Sequence, residues 1–478
     1  MKAAGHLFRL LGSFRKLAAY DALWALQLFE ENVPLLKLGR RLICLGVRPS
    51  GEAKDKRPGQ RLALAFQAMG PAFIKLGQTL STRPDIMGKA VALDLAELQD
   101  RLPPFSASEA HKALEEEFST KTEDLFSAFE DQPVAAASIA QVHFAVTKEG
   151  EEVAVKILRP GIEELFTRDL KDFYWAAGLL ERLAPPARRL KPLEVVKLME
   201  KTVAVELDMR MEAAAASELA ENMADEPAYR VPGIYWQLTS KRVLTLERVK
   251  GIPIARRDDL LAAGHDPKKL AADIVRLFLT QAIRDGFFHA DLHPGNLFVA
   301  ADGAILPVDF GIMGRLSRAD RRFLAEMLWG FQTGDYRRVA ELHFEAGFVP
   351  ADQPLALFAQ ALRAISEPVK GKPVHEISVG RLLAQLLETT ETFAMETQPQ
   401  LLVLQRAMVM SEGLALQLDA EANMWELSAP VLEKLIRENM GPISDLKEIL
   451  DRARRLARQI PGLLEQLEVW LATKKDPD

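Results

Sequence analysis

The chain has 478 residues, 48% of them hydrophobic and 27% charged, with 28 Gly, 27 Pro and one Cys. This composition excludes disorder and collagen-like architecture, and the length suits about three domains or one large catalytic domain with extensions. With 61 Lys and Arg against 67 Asp and Glu the net charge is −6, which argues against a nucleic-acid binder that tracks phosphates over its whole surface.

In chain order, residues 1–20 hold Lys2, Arg9, Arg15 and Lys16 without an acid, while Leu7, Phe8, Leu10, Leu11, Phe14 and Leu17 recur near helical spacing. This pattern predicts a basic amphipathic helix, either lying on an anionic membrane surface or docked on its own domain. Charges interrupt every long apolar run, so neither a signal peptide nor a transmembrane span is expected. Cys44, the lone cysteine, cannot form an internal disulfide; a small buried apolar role and a reducing cytoplasm are expected. A polar Pro- and Gly-containing stretch at 49–60 precedes a helical segment from Arg61 to about Gln99, and Ser106 with Glu109 forms a capping-box pattern ahead of a short helix.

The period then changes. Val134 to Leu158 reads as a β-hairpin turning at Lys148–Glu152, with Val153, Val155 and Ile157 alternating behind the turn. Pro192 to about Met223 reads as one long helix, and 231–249 as a return to strand. Residues 267–285 are expected to be helical. Asp302-Gly303 between the short apolar runs Asn296–Ala300 and Ala304–Val308 predicts a β-hairpin, and the chain is mostly helical from about Ser317.

The most specific chemistry lies in HADLHPGNLFV, His289 to Val299, followed by Asp309-Phe310-Gly311. A protein-kinase catalytic loop reads His-Arg-Asp-Leu-x-x-x-Asn, and only its Arg is replaced here, by Ala290. Divalent metal on nucleotide phosphates needs oxygen ligands, which Asn296 and Asp309 supply as carbonyl and carboxylate. Asp291 is placed to accept a proton from an attacking hydroxyl or water, or to orient it. Upstream, VAVK ends at Lys156, where a kinase places the lysine that pairs with the α- and β-phosphates. Its acidic partner is sought among Glu206, Asp208 and Glu212, and Glu212 is favoured. His289 and His293 flank Asp291 in a His-x-Asp-x-His pattern that a metal cluster could use, but Asn296 and Asp309 explain the segment better.

Where a kinase has a glycine-rich phosphate loop, Ala135, Ala136, Ala137, Ser138 and Ala140 stand, and their Cβ atoms restrict the backbone. The backbone near Glu247 and Val249 is expected to contact adenine. There is no Ala-Pro-Glu motif and no room for a long activation segment after Gly314.

Together with Lys75-Leu76-Gly77-Gln78 upstream, an alanine-rich loop ending in Gln141-Val142-His143, and Glu206-x-Asp208, these motifs resemble the UbiB, or aarF-domain-containing, family of atypical kinases over about residues 60–340. The resemblance implies an α+β, protein-kinase-like two-lobed fold, with a small β-rich N-lobe, a mostly helical C-lobe and a helical N-terminal extension. It implies that Lys75 and Gln78 belong to an element covering the active site, with Glu206 and Asp208 as polar partners, and that ATP/ADP and Mg2+ are the cofactors. The activity implied is ATP hydrolysis supporting ubiquinone biosynthesis, with quinone-pathway enzymes or lipophilic quinone precursors as partners at the cytoplasmic face of the inner membrane. Attachment is expected to be peripheral, since the C-terminal DLKEILDRARRLARQIPGLLEQLEVWLATKK is amphipathic and charge-interrupted. Four segments are expected: basic helices and linker at 1–60, a helical extension at 61–130, an N-lobe at 131–250 and a helical C-lobe at 251–478. Two other readings are a small-molecule phosphotransferase and a nucleotide-binding scaffold without turnover.

Overall fold

The computed structural model describes residues 2–26, 43–81, 83–96, 98, 102–183, 191–367, 392–393, 395 and 399–439. The amphipathic C-terminal stretch lies outside them. The chain divides into two compact units, Met1–Gly251 with Ala304–Gly311, and Ile252–Gly303 with Ile312–Asp478.

The first unit opens with α1 (Lys2–Ala19), then α2 (Pro58–Met69), α3 (Pro71–Ser81), α4 (Pro84–Met87) and α5 (Lys89–Ala96). The basic N-terminal helix is docked on its own unit. Arg9 grips Asp172 with both arms of its guanidinium, at 2.6 and 2.7 Å, and Lys16 donates to the Ala68 carbonyl at 2.9 Å. Burial alone would raise the Asp172 pKa, but Arg9 and His6 outweigh it and hold the carboxyl below its usual range. Cys44 is exposed, which corrects the buried role expected for it: it sits at the surface beside Leu45, itself 68% exposed.

Ser106 caps α6 (Ala107–Phe118) through the predicted capping box, with Glu109 answering the Ser106 amide at 2.9 Å. After α7 (Thr122–Leu125) comes the sheet: β1 (Phe126–Phe129), β2 (Ala135–Ala136), β3 (Ala140–Thr147), β4 (Glu152–Leu158) and β5 (Val243–Glu247), ordered β1-β3-β4-β5 with β2 on β3. The predicted hairpin is β3–β4, antiparallel with Lys156 opposite Val142 and Val155 opposite His143. One sheet face packs under α6 through Ala113, Leu114, Val153 and Val155; the other packs on α8 (Ile162–Leu183) through Leu158, Ile162 and Phe166.

Two expectations need correction. The long helix is two, α9 (Pro192–Glu206) and α10 (Met209–Asn222), because Asp208 leaves helical dihedrals and caps α10, its carboxylate accepting from the Arg210 amide at 3.1 Å. A short acidic side chain competes with the helix for backbone N–H groups, so it favours the cap over the interior. Likewise 231–249 is strand only over β5; Pro232 has no amide to give a ladder, and a single 3-10 turn at Trp236–Leu238 precedes the strand.

The second unit is mostly helical: α11 (Arg257–Ala262), α12 (Pro267–Leu279), α13 (Arg318–Thr333), α14 (Tyr336–Glu345), α15 (Leu355–Ser366), α16 (Pro399–Leu418) and α17 (Met424–Asn439). Its short strands include Phe287–His289, antiparallel to Met313–Arg315, and Leu297–Val299, antiparallel to Ile252–Pro253. A π-helical turn, Thr280–Asp285, extends α12 and ends at Gly286. At φ +69°, with a built Cβ only 2.8 Å from the Leu316 carbonyl, position 286 requires glycine. Among the described residues no helix is long and apolar enough to cross a membrane.

Phe166, 1% exposed, anchors the core between α8 and the sheet. Phe166→Ala is expected to destabilise the first unit by about 3–5 kcal/mol, read as a lower denaturant midpoint with secondary structure retained; an unchanged midpoint would remove this residue from the core assignment.

Candidate active site

In the first unit, β4 places Lys156 where its ammonium meets two carboxylates. Lys156 Nζ donates to Glu212 Oε1 and Oε2 at 2.8 and 3.0 Å, and to Asp309 Oδ1 at 3.3 Å. Glu212 Oε1 also accepts from the Phe310 amide at 3.2 Å, and Asp309 Oδ1 from the Gly311 amide at 3.1 Å. Burial would lower the Lys156 pKa, yet Asp309 and Glu212 overcome it and hold the amine charged, well above its ordinary range. Burial pushes the Glu212 carboxyl upward, with Lys156 opposing. One cation against two carboxylates leaves the cluster net negative, and the excess lies toward Asp309, whose side chain is 44% exposed against 8% for Glu212.

A second ion pair ties α3 to α9. Lys75 Nζ lies 2.5 Å from Glu206 Oε2, with both side chains under a tenth exposed. A pair this dry loses much of its attraction to desolvation, yet removing either member strands a buried charge. The Asp208 carboxylate takes the Arg210 guanidinium at 2.6 and 2.8 Å. Gln78 is half-buried one turn along α3.

The alanine-rich loop is a tight reversal between β2 and β3, closed by the Ala137 amide on the Ala140 carbonyl at 2.8 Å. Arg159, which sequence reasoning missed, fastens it: Nε and Nη2 donate to the Ala137 carbonyl at 3.1 and 2.8 Å, and Nη2 also reaches Pro103 at 2.8 Å. Ser138 is fully buried, whereas Ala135 is exposed. On the far side of the sheet, the Glu247 amide donates to Gly233 at 2.8 Å, and Val249 follows just beyond the end of β5.

In the second unit, the catalytic-loop motif is a chain of hydrogen bonds. Gln281, in the π-helical turn, accepts from the His289 amide at 3.1 Å; His289 Nδ1 accepts from the Asp291 amide at 3.1 Å; and Asn296 Nδ2 donates to Asp291 Oδ2 at 3.1 Å. His293 Nδ1 accepts from the Gly295 amide at 3.1 Å. Both histidines therefore brace the loop backbone. The remaining Asp291 oxygen, Oδ1, accepts from Arg406 Nη2 at 3.1 Å. Neither Gln281 nor Arg406 belongs to a motif, so nothing local in the sequence marks them.

Residues 97–343 match the ABC1 atypical kinase-like domain, and residues 362–423 match the UbiB helical domain. The chain belongs to the ABC1/UbiB family of atypical kinases. Among its relatives, the probable protein kinase UbiB of Pseudomonas aeruginosa is 41% identical over 458 residues, 95% of this chain and 83% of that one. The Azotobacter vinelandii counterpart is 43% identical over 415 residues, 86% of this chain and 76% of the relative. Of solved structures, the erythromycin complex of Rv3197 from Mycobacterium tuberculosis superposes with a TM-score of 0.52 at 24% identity, covering 83% of this chain and 96% of that one. That likeness speaks to the fold alone, and the fold is the α+β kinase-like arrangement the motifs predict. The family match also runs past the expected 60–340, into a helical domain that no local motif announced.

Beside the UbiB-family loop, His143 sits at the centre of a buried polar chain. Its Nδ1 donates to the Glu130 carbonyl at 2.8 Å, and its Nε2 accepts from Gln141 Nε2 at 2.8 Å. Gln141 Oε1 in turn accepts from the Phe105 amide at 2.9 Å. Burial lowers the His143 pKa from its ordinary 6.5, because the charged ring would lose its hydration; the bond to the Glu130 carbonyl opposes the shift without cancelling it. A lowered folded pKa means that stability is held above 6.5 and lost as pH falls through the folded value. Imidazole nitrogen shifts are expected to show His143 neutral, with Nδ1 protonated, at pH 6.5. A titration midpoint at or above that of an exposed histidine would contradict the assignment.

Proposed function

We propose that the chain is a Mg-nucleotide-dependent ATPase of the atypical kinase type that supports ubiquinone biosynthesis, acting on or near lipophilic quinone precursors at the cytoplasmic face of a membrane. The observation that carries the nucleotide half of this reading is Lys156 held charged between Glu212 and Asp309. A β-strand lysine clamped by a helical glutamate and the aspartate of Asp-Phe-Gly is the arrangement a kinase needs before it engages phosphates. The quinone half rests on the family membership and on the UbiB name of the curated relatives.

Each candidate donor, taken by itself, suits Mg2+. Asn296 has its amide nitrogen committed to Asp291, which leaves Oδ1 as the end to face a cation, and Asp309 presents an exposed carboxylate in a net negative cluster. Both are hard oxygen donors. When bound, the ion would neutralise charge on the β- and γ-phosphate oxygens. Lys156 would pair with the α- and β-phosphates, Glu212 fixes the direction of that ammonium, and Asp291 would orient the attacking water through a carboxylate oxygen. The turn at Ala135–Ala140, held by Arg159, would lie along the phosphates, and the chain near Glu247–Val249 along the adenine. Hydrolysis is favoured over peptide phosphorylation by the brevity of the segment after Asp-Phe-Gly, since α13 already starts at Arg318.

Purified protein is expected to release free phosphate from Mg-ATP, more so with vesicles or phenolic headgroup analogues. Asp309→Asn, isosteric and lacking the charge, is expected to cut turnover about 10²-fold or more. Unchanged turnover in that variant would remove the metal-ligand role, and a stoichiometric phosphorylated small molecule would instead identify a phosphotransferase. Full restoration of quinone levels by a variant unable to hydrolyse ATP would identify a scaffold.

A further inference from the structure

The catalytic loop of this chain has no arginine of its own, because Ala290, fully buried, stands where an ordinary kinase loop has one. A guanidinium nonetheless reaches the loop from a distant part of the sequence. Arg406 lies in α16, within the stretch that matches the UbiB helical domain and 115 residues from Asp291. Leu404, Ala407 and Met408 around it are buried, and α16 packs on α12, so the helix that presents Arg406 is anchored in the core of the second unit.

We propose that Arg406 is a positioning residue for Asp291, supplied to the catalytic loop by the helical domain. The inference rests on the role given to Asp291 under the proposed function. Three contacts hold Asp291: its amide on His289 Nδ1, Oδ2 on Asn296, and Oδ1 on Arg406, each at 3.1 Å. With one bond on each oxygen, the carboxylate cannot rotate about its Cβ–Cγ axis, and each oxygen keeps a second lone-pair site for a nucleophile's proton. Without Arg406 only the Asn296 bond, among the described residues, would restrain that rotation. The Arg406 side chain is 34% exposed and that of Asp291 23%, so the pair adds little to global stability and acts by fixing direction. Phosphoryl transfer depends chiefly on placement, so losing that direction is expected to lower the rate of the chemical step and leave nucleotide affinity intact.

Steady-state ATP turnover by the full chain tests this. In Arg406→Ala, kcat is expected to fall about 10²-fold, with KM for Mg-ATP within about 3-fold of wild type. Arg406→Lys should recover most of the loss, because a single N–H contact needs one charged donor rather than a planar fork. In an Asp291→Asn background, Arg406→Ala should cost little more. Nucleotide-free hydrogen exchange across 287–297 should be faster in Arg406→Ala and close to wild type in Arg406→Lys. Wild-type kcat in Arg406→Ala, or the same fold-loss in the Asp291→Asn background, would overturn the inference. If the wild-type chain turns over no ATP, it is the ATPase reading that fails. Exchange then decides the positioning role, with identical rates in Arg406→Ala and wild type overturning it.

Discussion

The first unit is organised around one ammonium group that must stay charged in a dry place. Lys156 projects from an inner strand of a sheet whose faces are both covered, and burial alone would favour its neutral form. Glu212 from α10 and Asp309 from the Asp-Phe-Gly turn supply the opposing charge. That requirement fixes α10 against the sheet and draws the Asp-Phe-Gly backbone in as well, since Glu212 takes the Phe310 amide with the same oxygen that meets Lys156. A buried ion pair contributes little net stability once desolvation is counted, but it tolerates few alternative packings.

The same device recurs along the N-terminal helices. Arg9 with Asp172 fastens α1 to α8, and Lys75 with Glu206 fastens α3 to α9. In each case an acidic side chain on a helix of the kinase-like body receives a base from the extension. The attachment is therefore specific in register as well as apolar, and Ala72 and Phe73 of α3 provide the apolar part, Phe73 meeting Phe173 of α8 edge to face.

Much of the candidate site was legible because its determinants are local. The β3–β4 alternation, the capping box at Ser106 and the spacing from His289 to Gly311 each place residues within a few positions of their structural neighbours. Glu212 could be chosen as the Lys156 partner because few acids lie on the helical stretch available to it. What escaped depended on longer range or on competition between side chain and backbone. Arg159, Gln281 and Arg406 act through bonds to partners with no shared pattern, Cys44 lies at the surface beside an exposed Leu45, and Asp208 trades helix continuation for a cap that periodicity cannot register.

The interruption at Leu207–Asp208 has a geometric consequence. Along an unbroken α-helix, Glu206 and Glu212 would be separated by six steps of about 100° each, leaving their side chains roughly a third of a turn apart about a common axis. Any rotation that improved one salt link would then swing the other off its target. With two short rods in place of one, each acid adopts the azimuth its own lysine requires, and a shift in the extension is not geared directly to Lys156.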